Sequence, residues 1–182
     1  MIGSNKKGIT VVEMLVVLWA YTTLLLLISG ILSQASYYEK RAAASAIIQE
    51  NVMFILETIS KEMRISEIIT PDTADCRVSP STTLQISREV PPDYNSTETI
   101  TYSLTNGQIT RAVGTAIGVS INSPDVTISN LRFCISGSGA NDNEAERVTV
   151  AFTITNNGPI AVSIPVQTTL TSRNTMSEML NQ

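Results

Sequence analysis

The sequence predicts an α+β protein: a long N-terminal α-helix, membrane-spanning in its first half and amphipathic in its second, packed on a C-terminal antiparallel β-sheet. Three observations carry this. Residues 14–38 hold no charge and are mostly Leu, Val, Ile, Met, Trp or Ala. Apolar residues then recur at three- and four-residue steps, and beyond Pro71 two-residue alternation takes over.

An α-helix needs about 20 apolar residues to cross about 30 Å of hydrocarbon, and the uncharged stretch supplies them. A core helix of a water-soluble domain rarely runs so far without a polar face. Lys6 and Lys7 precede the stretch and Glu39, Lys40 and Arg41 follow it, so flanking charge alone leaves the orientation open. Only a short tail lies before the helix, while the β-rich part and both cysteines lie after it. The expectation is therefore a single pass through the cytoplasmic (inner) membrane with the globular part outside.

Past Tyr38 the helical pattern continues with Ile48, Val52, Ile55, Ile59 and Met63 on one face and Glu50, Glu57, Lys61 and Arg64 on others. No Gly or Pro interrupts the chain from Ile31 until Pro71, so Thr70-Pro71-Asp72 is the expected stop. Counted from Ile9, such a helix has roughly 60 residues and a length of roughly 90 Å.

The strands follow. Val148, Val150, Phe152 and Ile154 recur at every second position, as do Ile160, Val162, Ile164 and Val166, and Asn156-Asn157-Gly158-Pro159 separates them as a turn. Asn106-Gly107, set between 99–102 and 109–111, is a two-residue hairpin signal. Val126 and Ile128 change phase to Leu131, Phe133 and Ile135, which predicts a bulge near Asn130. Leu84 and Ile86 suggest one more strand inside an otherwise loop-like 71–98.

Composition narrows function. The 182 residues suit one compact unit with an attached element, and the formal charge of −4 gives no basic nucleic-acid footprint. The chain has no histidine, the usual general base and commonest metal ligand, and no phosphate-cradling glycine loop or nucleophile–base pair stands out. No cofactor is implied. Cys76 and Cys134 are the only cysteines; in an exported domain they favour one disulfide closing a loop of about 58 residues, worth up to about 4 kcal/mol, against two separate buried thiols. Asp142, Asn143 and Glu144 offer oxygens in a short loop, but their spacing completes no calcium motif and a solvated turn is the plainer reading. Asn95-Ser96-Thr97 satisfies the glycosylation triplet, a frequent chance match.

The stretch "KKGITVVEMLVVLWA" sets a single carboxylate, Glu13, at the threshold of the apolar run. A carboxylate there costs a few kcal/mol unless paired or neutralised. Two cleavages compete. A signal-peptidase cut at Ser33-Gln34-Ala35 releases a soluble binding module starting near Ser36, although the apolar run is longer than the usual ~7–15 residues. A cut between Gly8 and Ile9 keeps the run and creates an α-amino group four residues before Glu13, a cation for the lone acid. A plain single-pass anchor, with Glu13 in the headgroup layer or protonated, stands as the third reading.

The basic leader ending in glycine (Lys6-Lys7-Gly8), the hydrophobic residue Ile9, the glutamate four residues later and the long apolar helix together resemble the class III signal of type IV prepilins and type II secretion pseudopilins. The resemblance covers about 30 residues in four features at fixed spacing. It implies cleavage after Gly8 by a prepilin peptidase, N-methylation at Ile9, and assembly into a filament by an assembly platform and ATPase, with other pilin or pseudopilin subunits as neighbours. Glu13 would pair with the Ile9 amine within one subunit or in the next. The implied fold is pilin-like and the implied role structural, not enzymatic, in a cell-surface or periplasmic filament. Ile9 stands where phenylalanine is commonest. Gly30 stands where many type IV pilins carry proline, which leans toward a pseudopilin or minor pilin. "RVTVAFTIT" and "VQTTLTSRN" resemble the larger minor pseudopilins of the J type or minor pilins of the W type. The expected organisation is a leader over 1–8, a membrane or filament-core half of the helix over 9–38, its amphipathic half over 39–70, a β-rich domain over 71–174 and a tail over 175–182.

Overall fold

The computed structural model describes residues 10–73, 76, 78–90, 96–138 and 145–172. Its order is one helix, α1 (Val11–Met63), then β1 (Glu67–Ile68), β2 (Leu84–Glu89), β3 (Thr97–Thr105), β4 (Gln108–Val113), β5 (Val119–Ser120), β6 (Val126–Ser136), β7 (Arg147–Asn156) and β8 (Ser163–Thr171). The α+β layout, a long helix packed against antiparallel strands, is the one the periodicities predict. By internal contacts the chain divides into two units, Met1–Ala42 and Ala43–Gln182.

In the first unit α1 begins at an N-cap. Thr10 is non-helical, and its Oγ1 accepts the Glu13 backbone N–H at 3.3 Å. Nearly every side chain over 11–42 is exposed, including Leu26 at 74% and Trp19 at 71%. The threonine hydroxyls within the run are satisfied by the helix itself: Thr22 donates to the Trp19 carbonyl at 2.9 Å and Thr23 to that of Ala20 at 2.8 Å. That leaves no unpaired hydroxyl at either position to penalise an apolar surrounding. α1 is long and apolar enough to cross a membrane.

In the second unit α1 buries Ala44, Ile48, Asn51, Ile55, Ile59 and Met63. These lie at steps of three and four residues, one stripe of a helix. Val52, expected in the stripe, sits half-buried at its margin. The helix ends at Met63, not at Thr70. Its last turn tightens, Ile65 donating to the Glu62 carbonyl at 3.2 Å, and the β-branched Ile68 and Ile69 pair with β2 instead, Ile69 donating to the Gln85 carbonyl at 2.9 Å. An available sheet edge outcompetes helix propensity where the residues favour strands.

The strands form two sheets rather than one: a five-stranded sheet in the order β1-β2-β3-β4-β5 and a three-stranded sheet in the order β6-β7-β8, all pairs antiparallel. Asn122 marks the break. Its Oδ1 accepts the Ile109 N–H at 2.8 Å while its amide donates to the Ser123 carbonyl at 3.2 Å, turning the chain out of β5 and into β6. Inward residues of both sheets, among them Leu84, Tyr102, Phe133 and Val150, share one core with the helical stripe.

The turn chemistry behaves as read. Asn106 and Gly107 both have positive φ, 51° and 74°, the conformation of a two-residue hairpin whose twist matches its strands. Asn130 has φ 54°, and the β6–β7 register shifts between Ser129 and Arg132, so the bulge returns Leu131, Phe133 and Ile135 to the face of Val126 and Ile128. β8 starts at Ser163, later than the alternation from Ile160 suggests. The Asn156 side chain closes that loop, accepting the Val162 N–H at 2.6 Å and donating to the Ile160 carbonyl at 3.0 Å.

Truncating Ile55, fully buried, to Ala removes core atoms and leaves a cavity, with an expected loss of about 2–5 kcal/mol of unfolding free energy. Met53→Ala, at a 71% exposed position on the same helix, should change it by under about 0.5 kcal/mol. Chemical denaturation of the two variants side by side checks the phase of the stripe.

Candidate functional site

The residues singled out from the sequence divide into three groups. Lys6, Lys7, Gly8 and Ile9 lie outside the described residues, as do Asp142, Asn143 and Glu144, and Asn95. Among the described residues no group of three or more His, Cys, Asp or Glu side chains is placed to hold a metal ion. Glu13 is exposed in the third helical position, next to the positive end of the helix dipole. Cys76 and Cys134 form a disulfide, their Cα atoms 5.4 Å apart across 58 residues of sequence.

The disulfide belongs to a longer attachment. Asp72 takes hydrogen bonds from the Ser138 hydroxyl at 2.7 Å and from the Ser138 and Gly137 N–H groups at 2.9 and 3.2 Å. Thr73 donates its N–H to the Ile135 carbonyl at 3.0 Å, and its Oγ1 accepts the Ile135 N–H at 2.9 Å. Ser81 and Phe133 exchange backbone bonds at 2.9 and 2.8 Å. Segments 72–73 and 81 thus lie along the outer edge of β6 and occupy backbone groups that a bare sheet edge would offer to another chain. The bonds from Ser138, its hydroxyl first and then its N–H, hold the Asp72 carboxyl below the usual carboxylate range.

A second assembly was not singled out from the sequence. Glu62 projects from the last turn of α1 and is only 14% exposed. Its carboxylate receives Arg111 Nε at 2.9 and 3.1 Å and Arg111 Nη2 at 2.6 Å, with Arg88 Nη1 at 3.9 Å. The Tyr102 hydroxyl donates to its Oε2. Arg88 also binds Glu98 through Nε at 3.1 Å and Nη2 at 2.8 Å. Two guanidinium groups and two carboxylates thus join α1 to β2, β3 and β4. Burial, and next the Glu62 carboxylate, hold the Tyr102 hydroxyl far above the usual phenol range, and the Glu62 hydrogen bond raises Arg111. The signal was present in the sequence: a two-residue loop at Asn106-Gly107 fixes a register that sets Tyr102 opposite Arg111.

A third polar feature was also missed. Asn51 sits in the buried helical stripe where an apolar residue would serve for packing. Its amide donates to the Ile47 carbonyl at 2.9 Å and its Oδ1 accepts the Ser123 N–H at 2.8 Å, fastening the β5–β6 loop to α1.

These groups bind one another; their chemistry is that of structural clamps. Glu62→Gln strips the charge that Arg111 faces and should cost about 3 kcal/mol, whereas Lys61→Gln, which opens the exposed Glu57–Lys61 pair, should change nothing measurable. Denaturation midpoints of the two variants decide the comparison.

The shifted groups predict a two-sided pH profile. Asp72, depressed in the folded state, contributes stability that is present above about pH 4, the unfolded value, and is lost as pH falls through the lower folded value. Tyr102, raised in the folded state, contributes stability that is full below about pH 10 and is lost as pH rises beyond it. Unfolding midpoints followed across pH should lose the acid-side slope in part in Asp72→Asn and the alkaline slope in part in Tyr102→Phe.

No family model matches the chain, and no curated protein or solved structure matches it either.

Proposed function

We propose that the chain is a structural, non-catalytic subunit of a membrane-assembled filament, a minor pilin or pseudopilin of the type IV pilus or type II secretion kind. The observation that carries this reading is what one helix combines. Residues 14–38 are uncharged and exposed, Glu13 stands at their threshold, and the stripe of Ile48, Ile55, Ile59 and Met63 is core to the β-domain. Such a helix serves two solvents in turn. It waits in the cytoplasmic membrane with lipid around its first half, and in the filament exchanges lipid for the helices of neighbouring subunits. Apolar packing of this kind is permissive in register, so a charge pair between Glu13 and the Ile9 amine fixes the axial position.

The partners follow from this reading: a prepilin peptidase that cuts between Gly8 and Ile9 and methylates Ile9, sibling pilin or pseudopilin subunits, and an assembly platform with its ATPase. The chain itself has no histidine and a net charge of −4, which support a structural role without nucleic acid. The capped, dipole-facing position of Glu13 favours a second reading. Thr10 and Glu13 have the spacing of a capping box, so the acid has a local use in starting the helix of a plain membrane anchor.

The N-terminal mass of the mature protein separates the readings: methylated Ile9 is expected for the filament subunit, Met1 for the anchor and Ser36 for a secreted module. Glu13→Ala should leave membrane insertion and cleavage intact and cut incorporation into filaments severely. Unimpaired assembly of that variant, seen in sheared-filament fractions, removes the charge pair from the account.

A further inference from the structure

The two sheets end differently. The first ends in β1 and β5, which are two residues each. In the second, Thr73 and Ser81 cover the outer edge of β6, and the Cys76–Cys134 disulfide fastens them there. The other edge is β8, nine residues long, and no described residue pairs with its outer side. A long edge of this kind is a template for another strand.

The register decides which backbone groups that edge offers. In an antiparallel pair, residues directly opposite one another alternate between exchanging hydrogen bonds and turning away. At one end of the β7–β8 pair the Asn156 N–H reaches the Val162 carbonyl at 3.2 Å, and at the other the Ser172 N–H reaches the Glu146 carbonyl at 3.0 Å. The register between them is unbroken, so both ends give one phase. Ile164, Val166, Thr168 and Leu170 bond to β7, and Ser163, Pro165, Gln167, Thr169 and Thr171 turn their backbone groups outward. Pro165 has no N–H and falls in the outward set, where an edge strand tolerates it. Ile164, Val166 and Leu170 face the core yet are only half-buried, so the core is open along this side. β8 carries no charged residue, and none of the lysines that commonly blunt an edge.

We propose that β8 is a docking edge for an extended segment of a different polypeptide, added antiparallel as a further strand of the β6-β7-β8 sheet. The backbone of that segment exchanges hydrogen bonds with Gln167, Thr169 and Thr171. Its inward side chains, at every second position, are apolar and cover Val166 and Leu170. A second copy pairing through its own β8 fits less well. The two-fold axis of such a pair also reverses the helix that lies on the sheet, an arrangement opposed by a membrane shared between the copies. The inference is independent of the filament reading and holds equally for a plain anchor.

The test follows amide hydrogen exchange of the full chain in lipid nanodiscs, alone and with a blocked peptide of alternating threonine and valine between terminal lysines. Alone, the Gln167, Thr169 and Thr171 amides should exchange freely; with the peptide they should slow at least about tenfold. In the antiparallel register the peptide's threonine nitrogens face β8 and its valine nitrogens face away. N-methylation of the threonines should therefore abolish the slowing, and N-methylation of the valines should spare it. Gln167→Pro should also abolish it, while lowering the thermal midpoint far less than Thr168→Pro, whose N–H lies in the β7 ladder. Five results overturn the inference: slow exchange at these amides in the chain alone, no slowing with the unmodified peptide, a response to the threonine-methylated peptide, equal destabilisation by the two proline variants, or dimers of the chain alone that Gln167→Pro dissolves.

Discussion

The structure depends on burial of one helical stripe. Ile48, Ile55, Ile59 and Met63 go from water to complete or near-complete burial against two sheets, and at about 2–3 kcal/mol for each side chain they are the strongest single attachment α1 has to the β-strands. The same helix carries 14–38, whose side chains are nearly all exposed among the described residues. The stripe therefore decides where the helix stops belonging to the domain. The unit boundary at Ala42 and Ala43 falls directly before Ala44, the first buried position. Sequence periodicity, packing and unit boundary are one fact seen at three levels.

Apolar burial fixes how strongly the helix binds but is loose about rotation and slide. The polar clamps remove that freedom at both ends of the stripe. Asn51 ties the N-terminal part to Ser123, and Glu62 ties the C-terminal part to Arg111 and Tyr102. Neither need add much net stability, because desolvating a charged pair offsets most of its attraction. Their value is positional: a helix slid by one residue would leave a half-buried guanidinium or the buried Asn51 amide unpaired, which costs more than the slide gains.

What was legible in the sequence was whatever has a short-range cause. Asn106-Gly107 announced its hairpin because positive φ at both positions is a local property, and the phase change around Asn130 announced its bulge because pleating has period two. The apolar run and the stripe were legible for the same reason. The helix end was misplaced at Thr70 because the stop at Met63 has a non-local cause, the edge of β2 on which Ile68 and Ile69 pair. Two sheets rather than one, and the covering of β6 around Asp72 and Ser81, depend likewise on contacts between distant segments. Nothing in the helical pattern singles out Glu62. Only the register that brings Arg111 and Tyr102 to the same place turns it into a clamp.

Glu13 brings the energetic scales together. As the acid of a capped helix start it gains about 0.3–1 kcal/mol from the helix dipole. Holding a carboxylate at the edge of hydrocarbon costs a few kcal/mol. The local reward is the smaller, so capping alone accounts for the acid's spacing from Thr10 but not for its place beside an otherwise uncharged run. In the filament subunit proposed above, an amine freed at Ile9 would be the cation that closes the gap. In the filament proposed above, that pairing would add register where lipid-for-helix exchange of apolar contacts is close to neutral.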